Sequence, residues 1–253
     1  LGFATAIFAL ASLGLFVSTA SAATLWVDPA AAALAPGTAC GALAGYTTIN
    51  SAIVASIAGD TVQVCPGTYA EPIQTLAACG NEPASLCIDK SLTLRGDPGD
   101  PSAGPGVGAP ILDGTGLGNG SAIALLRGGA IANVTIEGFE IRDYTNPVGQ
   151  GGIGSGVIAW NTQASNVLVQ DNTFEDLGWN GVLVGSDNDT VQSGWTIENN
   201  IIDNAAYAGI ELTNVTDSTV SDNGIIVSGG NWDAGDSGVG IEIAVRDRVA
   251  GTT

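Results

Sequence analysis

Hydrophobic and polar residues alternate in short segments through the second half of the chain, and these segments repeat. Four of them align without gaps: VTIEGFEIRD from Val134, VLVQDNTFED from Val167, WTIENNIIDN from Trp195 and STVSDNGIIV from Ser218. Alternation with a period of two predicts a strand that enters a turn. The segments start 33, 28 and 23 residues apart. Such spacing, with inserts of variable length, predicts a solenoid in which each coil pairs only with its neighbours.

Each of these coils also contains a second, shorter predicted strand. The four strands share a glycine followed by apolar residues: GVIA from Gly156, GVLV from Gly181, GIEL from Gly209 and GIEI from Gly240. Several short strands and no helix per coil fit leucine-rich or ankyrin arrays poorly. Equivalent strands of successive coils should therefore pair in parallel, about 4.8 Å apart.

The alignment predicts which side chains face the interior. Like residues should stack at the following positions: Val134, Ile136, Ile141, Val167, Val169, Phe174, Ile197 and Ile202. Asn172, Asn200 and Asn223 share another position, where stacked amides can form a ladder that satisfies buried polar groups. Phe139 occupies that position in the first aligned coil, so the ladder should begin at Asn172.

The first half of the chain contains one helical pattern. Four apolar residues have helical spacing: Ile49, Ile53, Val54 and Ile57. Thr47 or Thr48 can cap the start of this helix, and Gly59 can end it. Alternating segments at 24–28 and 60–65 predict a strand on each side of the helix.

Three segments of this half carry a family resemblance. They are YTTINSAIVASIAGDTVQVCPGTYAEPI at 46–73, KSLTLRG at 90–96 and ILDG at 111–114. Together with the repeats, they resemble right-handed parallel β-helix proteins of the pectate-lyase-like superfamily, in which an amphipathic helix covers the first coil. The resemblance implies an all-β fold, a right-handed parallel β-helix solenoid with a short N-terminal capping helix. It carries almost no information about activity.

The N-terminus resembles an export signal. The segment 2–17 is apolar and uncharged, and a small-residue cleavage sequence, Ala-Ser-Ala, follows at 20–22. The alternative, a membrane anchor, is disfavoured because this apolar run is shorter than the roughly 20 residues that a span requires. We expect a signal peptide at 1–22, a single β-helix domain at 23–253 whose C-terminus is truncated, and a secreted or cell-surface location.

Four cysteines in an exported chain predict disulfides. Three pairings are possible, and we favour Cys40 with Cys65 and Cys79 with Cys87. Metal binding by these cysteines is disfavoured, because the chain has no Cys-x-x-Cys motif and no histidine.

The charge of the chain limits its partners. The formal net charge is −19, with only 6 lysines and arginines in 253 residues. Nucleic acids and anionic membranes require a basic surface, so neither is an expected partner. An acidic polysaccharide would be repelled unless a cation such as Ca²⁺ bridged it.

Differences between the coils predict a groove. The outer two aligned coils carry eight extra residues at one corner, around 144–154 and 228–238, whereas the middle two do not. Two long loops on either side of two short corners would form the walls of a groove. Trp179 and Tyr207 share one position on its floor, and Tyr144 and Trp232 lie in the walls. Aromatic rows suit sugar faces, although the first two rings could instead shield the core.

Acidic residues also occupy aligned positions near that corner. One column contains Asp143, Asp176 and Asn204, and the next contains Arg142, Glu175 and Asp203. Carboxylates in neighbouring coils would lie about 5 Å apart, which suits acid–base cleavage of glycosides or binding of Ca²⁺. Alternatively, Arg142 pairs with Glu175 while the aspartates only turn the chain.

Other candidate chemistry is weaker. Asp187 and Asp189 could hold Ca²⁺ but lack the spacing of an EF-hand. Gly-His-Gly and Asp-Pro-His, motifs of hydrolases and epimerases in the superfamily, require a histidine that the chain lacks. Pectate lyases use Arg or Lys beside Ca²⁺, and Arg142 is the single cation of the predicted groove. Tyr144 or Tyr207 could act as a base in principle, but the unperturbed pKa of a tyrosine is about 10, which makes either a weak candidate.

Two functions remain from different classes. The first is recognition of extracellular polysaccharide, with or without cleavage by a lyase or glycosidase reaction. The second is a non-catalytic surface or adhesion protein that uses the solenoid as a rigid scaffold. The aromatic residues and paired loops favour the first function, and the missing family motifs favour the second.

Overall fold

The computed structural model describes residues 21–31, 37–41, 45–97, 108–146, 151–187, 190–226 and 238–244. Their strands form three sheets that run along one axis. The chain passes from the first sheet to the second, then to the third, and then enters the next coil. Every strand pairing is parallel except that of Gln74–Thr75 with Pro83–Ile88. This is a parallel β-helix, as the sequence predicts.

The three sheets comprise all described strands. The first contains Thr24–Val27, Thr61–Val64, Leu92–Gly96, Ala130–Glu137, Gln163–Gln170, Gln192–Glu198, Val215–Thr216 and Thr219–Ser221. The second contains Gly67–Tyr69, Pro110–Asp113, Glu140–Arg142, Thr173–Leu177, Ile201–Ala205 and Gly224–Ile226. The third contains Gln74–Thr75, Pro83–Ile88, Ser121–Leu125, Val157–Trp160, Val182–Gly185, Ala208–Thr213 and Val239–Ala244.

The observed register confirms the repeat alignment. Val134 pairs with Val167, and Val167 pairs with Trp195, in the first sheet. In the third sheet Val157 pairs with Val182, which pairs with Ile210. All eight residues predicted to face the interior are buried. The segments that we aligned as a strand entering a turn in fact supply two strands, one in the first sheet and one in the second.

The predicted asparagine ladder is present at the corner between the first and second sheets. The Asn172 Nδ2 donates to Asn200 Oδ1 over 3.0 Å, and the Asn200 Nδ2 donates to Asn223 Oδ1 over 2.9 Å. Each side-chain oxygen also accepts a backbone N–H from the preceding coil, beginning with that of Phe139. The ladder therefore satisfies backbone groups that the turn leaves unpaired inside the protein.

A repeated glycine makes the corner before the third sheet possible. A Cβ added to Gly156 would lie 2.4 Å from the Phe174 ring, and one added to Gly181 would lie 2.8 Å from Ile202. The same additions would each lie 2.7 Å from a carbonyl oxygen of the following coil. Glycine is therefore required wherever a large residue of the second sheet fills this corner.

The N-terminal helix spans Ile49–Ala55 and is shorter than predicted. Thr48 caps it by accepting from the Ser51 N–H. The helix ends before Gly59 because Ser56 adopts an extended conformation. Of the four apolar residues that predict the helix, Ile49 and Ile53 are buried, whereas Val54 and Ile57 are exposed.

A short 3-10 helix spans Ala77–Cys79. Both favoured disulfides, Cys40–Cys65 and Cys79–Cys87, are present. Within the described segments, no helix is both long enough and apolar enough to cross a membrane.

Candidate functional site

Two aromatic rings stack at the corner between the second and third sheets. The Tyr207 N–H donates to the Trp179 carbonyl over 2.9 Å, which fixes the two residues at equivalent positions of adjacent coils. Their ring centroids lie 4.7 Å apart with 10° between the planes. Both side chains are half-buried. The predicted placement, side by side and partly exposed, is confirmed, while a role of these rings in binding stays a prediction.

A groove of about 290 Å³ lies beside this stack, on the outer face of the third sheet. Its floor is a column of outward-facing side chains in register: Ile158, Leu183 and Glu211. Gly151 and Gly152 cover one side. A Cβ on Gly152 would contact both Ile158 and Leu183, so this part of the long loop lies directly above the floor.

Trp160 also lines the groove, at the opposite ends of the strands from the aromatic stack. It pairs with Gly185 of the next coil, and a Cβ on that glycine would lie 2.5 Å from the indole ring. The ring therefore lies across the backbone of the neighbouring strand. Sequence analysis did not single out Trp160, although the aligned segments GVIAW and GVLVG place the tryptophan opposite a glycine.

One end of the groove is charged. The Arg127 Nη1 lies 3.6 Å from the Glu82 Oε2, and the stem of Arg127 packs against Gly80. Burial raises the pKa of Glu82, and the positive charge of Arg127 only partly opposes this. Among the described residues, the cation that lines the groove is therefore Arg127, whereas the sequence suggested Arg142. Both Glu82 and Arg127 belong to the irregular half of the chain, so no alignment could reveal them.

A buried carboxylate occupies the other end of the groove. Glu211 is 3% exposed and accepts from Asn180 Nδ2 over 2.9 Å. Glu242 follows in the same column, in the next coil, and accepts from the Tyr207 hydroxyl over 2.9 Å. The sequence contained the signal for this pair, because the two glutamates occupy the same position in GIEL and GIEI.

The predicted carboxylate columns lie on a different face. Arg142, Glu175 and Asp203 are in register on the outer surface of the second sheet, as expected. Arg142, however, pairs with Asp113 and Glu140, each over 3.0 Å, instead of with Glu175. The ion pair alternative therefore named the wrong partner.

The charges of this column shift two pKa values in opposite directions. Desolvation raises the pKa of Glu175, with contributions from the negative charges of Glu140, Asp176 and Asp203. Desolvation also acts on Asp113, but hydrogen bonds from Thr115 and Arg142 outweigh it and hold the pKa of that carboxyl below its usual range.

The second acidic column turns the chain. Asp143, Asp176 and Asn204 have φ values of 59°, 51° and 61°. This left-handed conformation is one that Asp and Asn tolerate better than other non-glycine residues. Among the described residues, none of the predicted carboxylates lines the groove. The structure thus separates the aromatic and acidic halves of the predicted site.

Tyr144 lies in the core and not in a groove wall. It is 1% exposed, and its hydroxyl donates to Ser85 Oγ over 3.0 Å. Burial raises its pKa, so a role as a base is disfavoured further. Of the other candidates, Trp232 and Asp189 lie outside the described residues, as do residues 228–237 of the second predicted wall.

The remaining metal candidate is Asp187, whose proposed partner Asp189 lies outside the described residues. The Asp187 N–H donates to Asn161 Oδ1. Across the described ranges, no group of three His, Cys, Asp or Glu side chains is arranged to hold a metal ion.

Comparisons with known proteins agree with the β-helix architecture. The sequence model of the family described as right handed beta helix region matches residues 111–249, more than half of the chain. The chain belongs to this family. A solved structure of a rhamnogalacturonan lyase resembles the β-helix with a TM-score of 0.54 and 15% sequence identity, over 88% of this chain and 62% of the lyase. At that identity the likeness shows the fold alone. No curated protein matches the sequence.

The groove of this β-helix combines features that suit binding more clearly than chemistry. Its apolar floor runs parallel to the axis between Trp160 on one side and the stacked pair on the other. Acidic groups stand at both ends.

Proposed function

We propose that this β-helix acts outside the cell and binds polysaccharide chains in the groove of the third sheet. The groove formed by Trp160, Trp179 and Tyr207 over an apolar floor carries the proposal. Sugars present an apolar C–H face and a rim of hydroxyls. Tryptophan and tyrosine suit both, because each has an apolar ring with a polar group at its edge.

The direction of the groove supports an elongated ligand. Its floor residues come from three successive coils, which lie about 4.8 Å apart, so the groove runs along the axis of the β-helix. A polymer with a regular repeat can follow such a surface, whereas a compact ligand would use only part of it. The two disulfides support an extracellular location, since such bonds persist in oxidising compartments.

Polysaccharide binding can be tested with a matched pair of tryptophan variants. Trp160→Ala removes a ring of the groove, whereas Trp26→Ala removes a half-buried tryptophan of the first sheet. Both proteins would be titrated against a panel of extracellular polysaccharides by calorimetry. We expect Trp160→Ala to weaken binding by about 1–3 kcal/mol and Trp26→Ala to leave it unchanged. Equal binding by both variants would place the ligand elsewhere.

The same panel distinguishes the scaffold alternative. A protein that serves only as a rigid spacer would show no binding that depends on Trp160. Assays for reducing ends and unsaturated products, with Ca²⁺ and with a chelator, separate a protein that cleaves its ligand from one that only holds it.

A further inference from the structure

We propose that the groove of the third sheet binds the ends of glycan chains and not their internal segments, because the loop closed by the Cys79–Cys87 disulfide blocks it at one end. The inference rests on the proposed function, since it specifies which part of a polysaccharide the same groove takes. A chain end can stop against this loop, whereas an internal segment would have to continue through it.

The column of side chains that forms the floor continues beyond the groove. Ile158 pairs with Ala124 of the preceding coil, and Ala124 pairs with Cys87 of the coil before that. Residues in register on parallel strands face the same side of their sheet, so all three side chains point outwards from the third sheet. Ile158 lines the groove, whereas Ala124 and Cys87 do not. The groove therefore ends between two positions of one continuous column.

The groove ends there because the Cys79–Cys87 loop lies over the column. The disulfide joins Cys87 of the column to Cys79 of the 3-10 helix. The Cys79 Sγ also lies 3.4 Å from the carbonyl oxygen of Ala124. A gap beside Ile158, between Cys79 and Arg127, has no room for a water molecule. A sugar residue therefore cannot pass beneath the loop along the floor.

Arg127 holds the loop in this position. Its backbone N–H donates to the Ala78 carbonyl over 3.0 Å, and its stem packs against Gly80. Its guanidinium lies 3.6 Å from the Glu82 carboxylate. A covalent bond, a backbone hydrogen bond and an ion pair therefore fix the loop across the end of the groove.

The closed end also offers polar groups to the last sugar of a chain. Glu82 and Arg127 both line the groove, and the Arg127 side chain is 33% exposed. A guanidinium presents a planar fork of N–H donors. A terminal sugar carries a free hydroxyl at the position where an internal sugar carries the next residue, and this hydroxyl can accept from the guanidinium. An internal segment would instead press its next sugar against the loop.

The test compares the same polysaccharide at different chain lengths and equal mass. The probes are galactomannan, xylan and polygalacturonan, each intact and after partial hydrolysis to chains of known average length. Calorimetric titration gives the amount of protein bound per gram of polysaccharide. We expect this amount to rise in proportion to the number of chain ends, with the affinity per end unchanged. Reduction of the terminal aldehyde alters only one end of each chain, so loss or retention of binding after reduction would assign which end the groove takes.

A double variant assigns the effect to the closed end. Glu82→Ala with Arg127→Ala removes its polar groups and should weaken binding of the shortened chains at least about tenfold, as expected for loss of a hydrogen bond to a charged group. Arg95→Ala with Glu137→Ala removes an ion pair of the first sheet and is the matched control. This control should leave the affinity unchanged. Melting temperatures of both variants would verify that each is folded.

The possible outcomes separate this inference from the proposed function. Binding that depends on Trp160 but stays constant per gram after hydrolysis would overturn the recognition of chain ends and leave polysaccharide binding intact. Binding of chain ends that is unchanged in Glu82→Ala with Arg127→Ala would place the ends elsewhere, which also overturns the inference. If none of the three probes and no polysaccharide of the panel binds, the proposed function fails and the inference fails with it.

Discussion

The outer faces of the second and third sheets have the same register but different surroundings. On the second sheet, the outward column of Asp113, Arg142 and Glu175 is charged and partly open to solvent, and Arg142 neutralises its neighbours. On the third sheet, the outward column of Ile158 and Leu183 is apolar and buried, because residues 151–152 lie over it. The residues that lie over the column therefore help to make a groove of the third sheet.

This difference shows how a solenoid creates a site. Stacking places equivalent side chains of successive coils in columns on every face, so columns alone do not mark function. A ligand site also requires walls, and these come from segments that break the repeat. In this protein the walls come from the insert before the third sheet and from the disulfide-closed loop that carries Glu82.

Removing the Cys79–Cys87 disulfide should have the largest effect on the groove of the third sheet. Cys79→Ala with Cys87→Ala should lower the free energy of unfolding by roughly 2–3 kcal/mol, as loop-closure entropy predicts for this short loop. It should also weaken glycan binding, because Glu82 lies within the closed loop. Chemical denaturation and calorimetry would measure both effects.

The other disulfide supplies the control. Cys40→Ala with Cys65→Ala opens a longer loop, with a sequence separation of 25, and should destabilise the protein at least as much. It lies at the N-terminal end of the first sheet, so binding by the folded fraction should persist. Equal loss of binding in both double variants would mean that the Cys79–Cys87 loop forms no wall.

The next largest effect is expected from substitutions of Trp179 and Tyr144, two aromatic residues that the sequence placed in one groove. Trp179→Ala should weaken glycan affinity by about 1–3 kcal/mol, because it removes half of the stacked pair beside the floor. Tyr144→Phe should leave affinity unchanged and lower stability by about 1 kcal/mol, through loss of the hydrogen bond to Ser85. Reduced affinity in Tyr144→Phe, measured on folded protein, would show that this tyrosine takes part in glycan binding after all.

The sequence predicts the repeating parts of this molecule well, because stacking imposes a local rule on every coil. Register, inward residues and the ladder from Asn172 to Asn223 follow directly from alignment. Trp160 and Glu211 could have been found in the same way, because Trp160 aligns with a glycine and Glu211 aligns with a second glutamate, Glu242.

The wall and the charged end of the groove depend on how the non-repeating segments fold. Tyr144 was expected to lie in the wall that its loop forms, yet the tyrosine packs inside, and it is Gly151 and Gly152 that lie over the third sheet. Glu82 and Arg127 meet through residues far apart in the chain. No periodicity encodes such contacts, so the charged end of the groove could not be derived from the sequence.

A smaller effect distinguishes a turn from a catalytic carboxylate on the second sheet. Asp176 has a φ of 51°, and Asn204 adopts the same conformation in the next coil. Asp176→Asn should therefore leave stability and any turnover of glycan nearly unchanged, whereas Asp176→Val should destabilise the protein by about 1–2 kcal/mol. Loss of turnover in a stable Asp176→Asn protein would restore the acidic column as an active site.

The smallest effect concerns the charges of the second sheet and is visible in the pH dependence of stability. The folded state raises the pKa of Glu175 above its ordinary value of 4.5, so the ionised group destabilises the protein at neutral pH. Glu175→Gln should therefore increase stability at pH 7, by less than about 1 kcal/mol because the side chain is partly exposed. This gain should disappear as the pH falls below 4.5, where the carboxyl is protonated in both states.

Asp113→Asn should act in the opposite direction, because the pKa of Asp113 is lowered and its stabilisation is lost as the pH falls through that lowered value. Denaturation midpoints from pH 3 to pH 8, a range that spans the ordinary carboxyl pKa values, would resolve the two trends. If both substitutions shift stability in the same direction, then Arg142 does not divide this column into a stabilised and a destabilised carboxylate.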